Sequence, residues 1–231
     1  MQYFIGMDDT DTLESTGTGH LARTLAGALA GDLGLTVNGV TRHQLLEDER
    51  VPKTAKNSCA ALHLESEPDL SVEEIAAFAR QWMLGYFQPG SDPGLCVAKQ
   101  VPDEVVAFGQ RAQREFLFQQ EPRQLAAQHG LFLEGLGGSQ DGVIGALAAV
   151  GLAASGSDGR YVLVGSIRDL QGLLPVPAVL AAGVVSVQTL DGETVEQGQV
   201  LADKLRPARR NGQPILFVAW DTDHWQPLKL D

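Results

Sequence analysis

The sequence predicts an α/β (α+β) fold, a mixed sheet with flanking helices followed by a smaller strand-rich unit. Three observations carry this reading. Short apolar runs of strand length alternate with segments whose apolar residues recur at helical spacing. The turn-forming stretch SGSDG at 155–159 marks a boundary, and beyond it strand-like runs and tight-turn signals replace the helical pattern. The expected domains are 1–156 and 157–231.

The first strand is the apolar run at 2–7, which ends where Asp8, Asp9 and Asp11 begin. After TGTG at 16–19, Leu21, Leu25, Leu29 and Leu33 recur every four positions on one helix face, and Gly34 supplies the stop. Strands follow around 36–42 and 59–65. Ser71 and Glu74 form a capping box for a helix reaching about Gly85, with Ile75, Phe78, Ala79 and Trp82 inward. The turn-rich loop 88–94 leads into another strand. Helices are expected over 103–118 and 122–129, the second stopped by Gly130. In the second domain RYVLVGSI, GVVSVQTL and PILFVAW read as strands, and Asp191-Gly192 and Asn211-Gly212 read as tight turns. The late Asp221-Thr222-Asp223-His224 reads as turn chemistry.

Composition narrows the function. A formal net charge of -12 argues against long-range attraction to nucleic acid, so RNA is not the expected partner. The local exception, Lys204, Arg206, Arg209 and Arg210, is read as a solvated loop in preference to a phosphate-contacting patch. Cys59 and Cys96 fit neither a disulfide framework nor a zinc ribbon and are expected in the core. No apolar run is long enough to span a membrane, and Asp8 interrupts the N-terminal apolar run too early for a secretory signal, so a cytoplasmic address is expected. An oligomer is allowed.

Three carboxylates within four positions repel one another, and burial raises their pKa values unless a cation neutralises them. A hard divalent ion such as Mg2+ does so while leaving positions for phosphate oxygens. The competing reading of Asp8, Asp9 and Asp11 is turn capping. An Asp-nucleophile phosphatase would need one more residue between Asp11 and the following Thr than this sequence has. The glycine-rich stretch 135–151, including Gly142 and Gly145, precedes an Ala-rich helix and is either a phosphate cradle or a site of close helix packing. Arg42, Lys53 and Lys56 are candidate cations for a transferring phosphate, and Asn57 lies beside them.

IGMDDTDT, a Thr shortly after it, PKTAKN, the SDPG loop and GVIGALAAVG, in this order, resemble the kinase-like part of archaeal tRNA 2-agmatinylcytidine synthetase. The resemblance implies an ATP- and Mg2+-dependent phosphoryl-transfer domain followed by a ferredoxin-like one. It implies that Asp8, Asp9 and Asp11 hold Mg2+ and phosphates and that Thr18 matches a phosphorylated threonine. It further places Lys53, Thr54 and Asn57 near the nucleotide and Gly142 and Gly145 at the glycine-rich helix start. Gly17, Thr18, Gly19 and His20 replace the family's Cys-Thr-Thr-Tyr, and the family's OB-fold and zinc ribbon find no counterpart.

The expected function is a Mg2+-dependent ATP-binding phosphotransferase or ATPase, acting on a small-molecule or macromolecular acceptor. The alternatives are a module that senses a nucleotide without turning it over, and an RNA-modifying enzyme acting with a partner.

Overall fold

A computed structural model describes residues 1–51 and 56–230. By internal contacts the chain divides into Met1–Ser155 and Gly156–Asp231.

The first unit contains strands β1 (Gln2–Asp8), β2 (Thr36–Gln44), β3 (Ser58–Glu65), β4 (Gly94–Ala98) and β5 (Phe132–Gly135). Its helices are α1 (Thr18–Leu33), α2 (Val72–Tyr86), α3 (Asp103–Ala112), α4 (Gln120–His129) and α5 (Gly142–Ser155). The strands form one sheet in the order β5-β4-β1-β3-β2, with every pairing antiparallel. The most apolar strand, β1, is therefore central, and strand alternation sends Tyr3, Ile5 and Met7 to one face and Phe4, Gly6 and Asp8 to the other.

Helices α1 and α2 cover the first of these faces. Gly34, with φ 66°, ends α1 in the left-handed region, as the sequence predicts. Both hydrogen bonds of the Ser71–Glu74 capping box form at the start of α2. Ile75 and Ala79 face inward, whereas Phe78 and Trp82 are half-buried and Met83 takes the deeper position.

Helix α5 covers the other face, with α3 packed on it. It is apolar all round, as a helix held between a sheet and a second helix layer must be. Its distance from β1 is set by Gly6, where an added Cβ would lie 2.0 Å from the Ala146 carbonyl oxygen. The residues at 113–118 do not continue α3: the Ala112 carbonyl accepts from Leu46 N–H (3.0 Å), which removes the next acceptor of the helix ladder.

The second unit is strand-rich, as expected, with β6 (Arg160–Leu163), β7 (Leu173–Pro175), β8 (Ser186–Gln188), β9 (Gln199–Leu201), β10 (Ala208–Arg210), β11 (Gln213–Asp221), β12 (His224–Pro227) and the short helix α6 (Val176–Ala181). Antiparallel pairs β6–β10, β10–β11, β11–β12 and β7–β9 combine with parallel pairs β8–β11 and β9–β12. Asn211 and Gly212 both have positive φ in the β10–β11 turn, and Thr222 does in the β11–β12 turn.

The basic cluster departs from its solvated-loop reading. Arg209 lies in β10, 6% exposed, because strand pairing carries it into the layer; Lys204 alone of the four is fully at the surface. Cys59 and Cys96 are buried free thiols. Among the described residues no helix is long and apolar enough to cross a membrane.

Candidate functional site

The acidic turn leaves β1 with a forced geometry. Asp9 has φ 48°, a left-handed conformation that Asp tolerates better than most residues, and it turns the chain sharply at the end of the central strand. The turn is fixed from two sides. Thr10 O accepts from Gln88 N–H (3.1 Å), and the buried Thr18 hydroxyl at the start of α1 donates to Asp11 Oδ1 (3.0 Å) and accepts from Thr10 Oγ1 (3.1 Å). Thr18 thus orients Asp11. The rule that parallel sheets bind ligands at strand ends does not apply to this antiparallel sheet; the close approach of β1 to α5 places the turn instead.

Asp8, Asp9 and Asp11 line a cavity of about 320 Å3. The sequence did not predict the three acids that join them, Asp92 from the loop before β4, Glu115 from the segment after α3 and Asp141 from the turn before α5. Asp92 accepts from Ser139 N–H (2.8 Å) and Ser139 Oγ (2.7 Å), tying the two loops together. Loop positions this far apart in sequence leave no spacing signal.

Asp8, Asp9, Asp11, Asp92, Asp141 and Glu115 line the cavity, and among the described residues Lys56 is the cation that faces them. Burial, with the charges of Asp9 and Asp11 adding, pushes the Asp8 carboxyl up to about 8. Burial and then the charges of Asp92, Asp11 and Asp141 push Asp9 up to about 6. An all-oxygen donor set of this kind fits a hard divalent cation that takes one or two carboxylates and completes its shell with water or phosphate oxygens. Among the described residues no group of three or more His, Cys, Asp or Glu side chains is arranged to hold a metal ion by itself.

The glycine-rich stretch serves packing before it serves a ligand. A Cβ on Gly145 would fall 1.8 Å from Asp8 Oδ2, so the carboxylate fills the space where a side chain would sit. One on Gly142 would fall 2.1 Å from the Asp92 carbonyl oxygen. The first amides of α5 are also engaged: Gly142, Val143 and Ile144 N–H donate to the carbonyls of Asp92, Gln140 and Asp141. Gly142 and Gly145 line the cavity, but these amides are not an open phosphate cradle.

The remaining expected residues separate. Asn57 lines the cavity, and its Nδ2 donates to Leu46 O (2.8 Å), closing the end of the β2–β3 pair. Arg42 does not line it: in β2 it points away from His43 and Leu45, and its Nε donates to Ser58 Oγ (2.8 Å). Lys53 and Thr54 lie outside the described residues.

Apolar residues also line the cavity: Leu45, Leu46, Val51, Ile144 and the segment 116–118, with Glu115 beside them. Phe116 and Phe118 meet edge to face with centroids 5.3 Å apart, and the Arg50 guanidinium lies 4.6 Å from the Phe116 ring centre. A helix through 118 would not have placed these rings here.

No protein-family model matches the sequence, and comparison with curated proteins finds no match. Among solved structures, the fold is similar to a tRNA fluorescent labeling enzyme and to TiaS in complex with tRNA and ATP, each at 24% identity and TM-score 0.56, over 65% of this chain and 36% of that one. It is also similar to apo TiaS, a tRNA agmatidine synthetase, at 22% identity and TM-score 0.53 over 65% of this chain and 35% of the other. Because tRNA is part of a neighbouring complex, the expectation against RNA gains no support from the comparisons. The chain spans about a third of the length of these structures, and its fold resembles that part of tRNA agmatidine synthetase.

Proposed function

We propose that the chain is an ATP-binding phosphoryl-transfer domain that works with a divalent cation, Mg2+ being the natural choice. The observation that carries this is the cavity at the end of β1, lined by Asp8, Asp9, Asp11, Asp92 and Asp141, in which burial and like charge raise the Asp8 and Asp9 carboxyls. Similarity to a fold solved with ATP supports it.

Asp8, Asp9 and Asp11 would hold the cation, which supplies charge neutralisation at the phosphates. Thr18 keeps Asp11 aimed into the cavity. Lys56, with Lys53 and Thr54 nearby in sequence, brings side chains suited to a developing phosphate charge. The carboxylate among the three that is least engaged by the cation is the base for an acceptor hydroxyl. Burial, with the charges of Asp92, Asp11 and Asp141 adding, holds Asp9 at a raised pKa, which favours a proton-accepting role near neutral pH.

The acceptor is a small molecule or a macromolecule. An RNA acceptor is the second reading, and similarity to a structure solved with tRNA favours it. Binding of RNA at low salt with a steep salt dependence is its expected sign, and absence of binding at low salt removes it.

Isothermal titration with ATP and Mg2+ tests the main reading. Asp9→Ala and Asp11→Ala are expected to abolish Mg2+-dependent ATP binding while the circular dichroism spectrum stays native. Unchanged affinity in a folded variant overturns the site assignment.

A further inference from the structure

The second unit carries an exposed aromatic corner that the acid-lined cavity does not use. Strand alternation along β11 puts Leu216, Val218 and Trp220 on one side. The first two are buried, whereas Trp220, near the strand end, runs past the core and is 56% exposed. Its register partner in β12 is Trp225, and the two indoles meet edge to face with centroids 4.9 Å apart. Trp225 is half-buried and held in place: its Nε1 donates to Gln197 O (3.0 Å), and a Cβ on Gly198 would fall 2.8 Å from that nitrogen. The same Cβ would lie 3.9 Å from Trp220 Cζ3, so residue 198 backs both rings.

Charge gives this corner a sign. Trp225, Glu193 and Glu196 line one open cavity of about 320 Å3. Both glutamates are exposed, and among the described residues neither carboxylate has a hydrogen-bond or ion-pair partner. The segments that build the corner, 189–198 and 211–228, contain Asp191, Glu193, Glu196, Asp221 and Asp223 and no Lys or Arg. Of these acids, Asp223 is answered by His224 Nδ1 (2.9 Å) at the hairpin turn. A polyanion is repelled by such a surface. An arginine suits both of its halves, because a guanidinium stacks on an indole and pairs with carboxylates in a bidentate fork.

We propose that the Trp220–Trp225 corner is a docking surface for an arginine-bearing segment of a partner protein, with a guanidinium entering the cavity against Trp225 and pairing with Glu193 or Glu196. Trp220 argues for a segment over a small free cation: it stands outside the cavity lining, and only a ligand that continues beyond the cavity covers it. Trp and Arg are also the residues that most often dominate the energy of protein interfaces. The surface does not depend on the phosphoryl-transfer reading.

Isothermal titration of the full chain with hexaarginine, hexalysine and spermidine at low salt tests this. Hexaarginine is expected to bind roughly 3-fold or more tighter than hexalysine, with spermidine weaker than both. Trp220→Ala is expected to weaken hexaarginine by roughly 5- to 30-fold, and Glu193→Gln with Glu196→Gln by a similar factor. Asp32→Asn with Glu65→Gln removes exposed carboxylates from the first unit and is the control for the acidic charge of the whole chain. It should change affinity by less than roughly 2-fold. Trp220 is exposed, so its Ala variant should keep a native circular dichroism spectrum; if it does not fold, the glutamate pair carries the test.

Absence of hexaarginine binding at low salt overturns the docking surface. Unchanged affinity in folded Trp220→Ala does the same, as does an equal loss in the glutamate pair and the control, which would leave only attraction to an acidic protein. Spermidine binding as tightly as hexaarginine would make the corner a small-cation site. A dimer in sedimentation velocity that Trp220→Ala dissociates would assign the corner to a second copy of the chain, and the partner reading falls.

Discussion

Thr41, His43 and His63 form a buried polar cluster on the β2–β3 pair, and Asp8, Asp9 and Asp11 form another at the end of the neighbouring central strand. In the first, the Thr41 hydroxyl lies 2.8 Å from Nε2 of each histidine, and His63 also meets the Phe4 ring edge to face (5.5 Å). In the second, like charges face one another, and two carboxyls sit far above the ordinary range of Asp. In one cluster the polar atoms meet donors and acceptors of the protein; in the other, burial and like charge disfavour ionisation of two carboxyls. Burial alone therefore does not mark a candidate functional polar group; mutual repulsion among buried carboxyls does.

The sharpest break of this contrast is Gly145→Ala. The added methyl competes with the Asp8 carboxylate for one space, coming 2.7 Å from Asp8 Cβ as well as closer to its oxygen. The expected cost is about 3 kcal/mol of stability together with a roughly 10- to 100-fold loss of Mg2+·ATP affinity. Gly27→Ala in α1 is the control, since a Cβ there meets nothing within 4 Å; it should be neutral or stabilise by up to about 1 kcal/mol. Calorimetry and thermal melting read both quantities. Unchanged binding in Gly145→Ala would remove Asp8 from the site.

Thr41→Val probes the closed cluster. It leaves two buried imidazole nitrogens without their hydroxyl partner, at a cost of about 1–3 kcal/mol. Nucleotide affinity should not move. A drop in the urea midpoint with an unchanged binding isotherm meets the expectation; lost binding at full stability would show that the two clusters are coupled.

What the sequence made legible here follows from locality. The helix α1, its Gly34 stop and the Ser71 capping box are encoded within a few residues of one another, and the structure forms them. The acid triplet was visible for the same reason. Asp92 and Asp141 were not, because their relation to Asp9 exists only after two loops are tied by Ser139. The placement of Phe116 and Phe118 in the cavity lining was hidden by a pattern that reads as helix through 118, since the hydrogen bond that ends α3 at Ala112 comes from Leu46, far earlier in the chain. Arg209 was misplaced by composition: four basic residues look solvated until strand pairing buries one of them. The glycines at 142 and 145 were visible, but whether they admit a ligand or a carboxylate depends on β1, which the stretch itself does not encode.

Asp8→Asn is expected to change stability least of these variants at low pH and carries the sign that separates the two clusters. The Asp8 carboxyl is raised in the folded protein to about 8, above its unfolded value of roughly 3.9. Its contribution to stability is therefore complete below the unfolded value and is lost as pH rises from there through about 8, a range in which the unfolded chain ionises while the folded protein keeps the proton. Asn keeps the shape and never ionises. The metal-free variant should match the unaltered protein at roughly pH 4 and exceed it by several kcal/mol at roughly pH 8.5. Added Mg2+ should reverse the order at high pH, because the cation restores stability where a carboxylate can hold it. Melting curves at several pH values, with and without Mg2+, read this directly. If Asp8→Asn is less stable than the unaltered protein at high pH without metal, then Asp8 is as well compensated as Thr41 and its histidines, and the distinction between an open and a closed cluster falls.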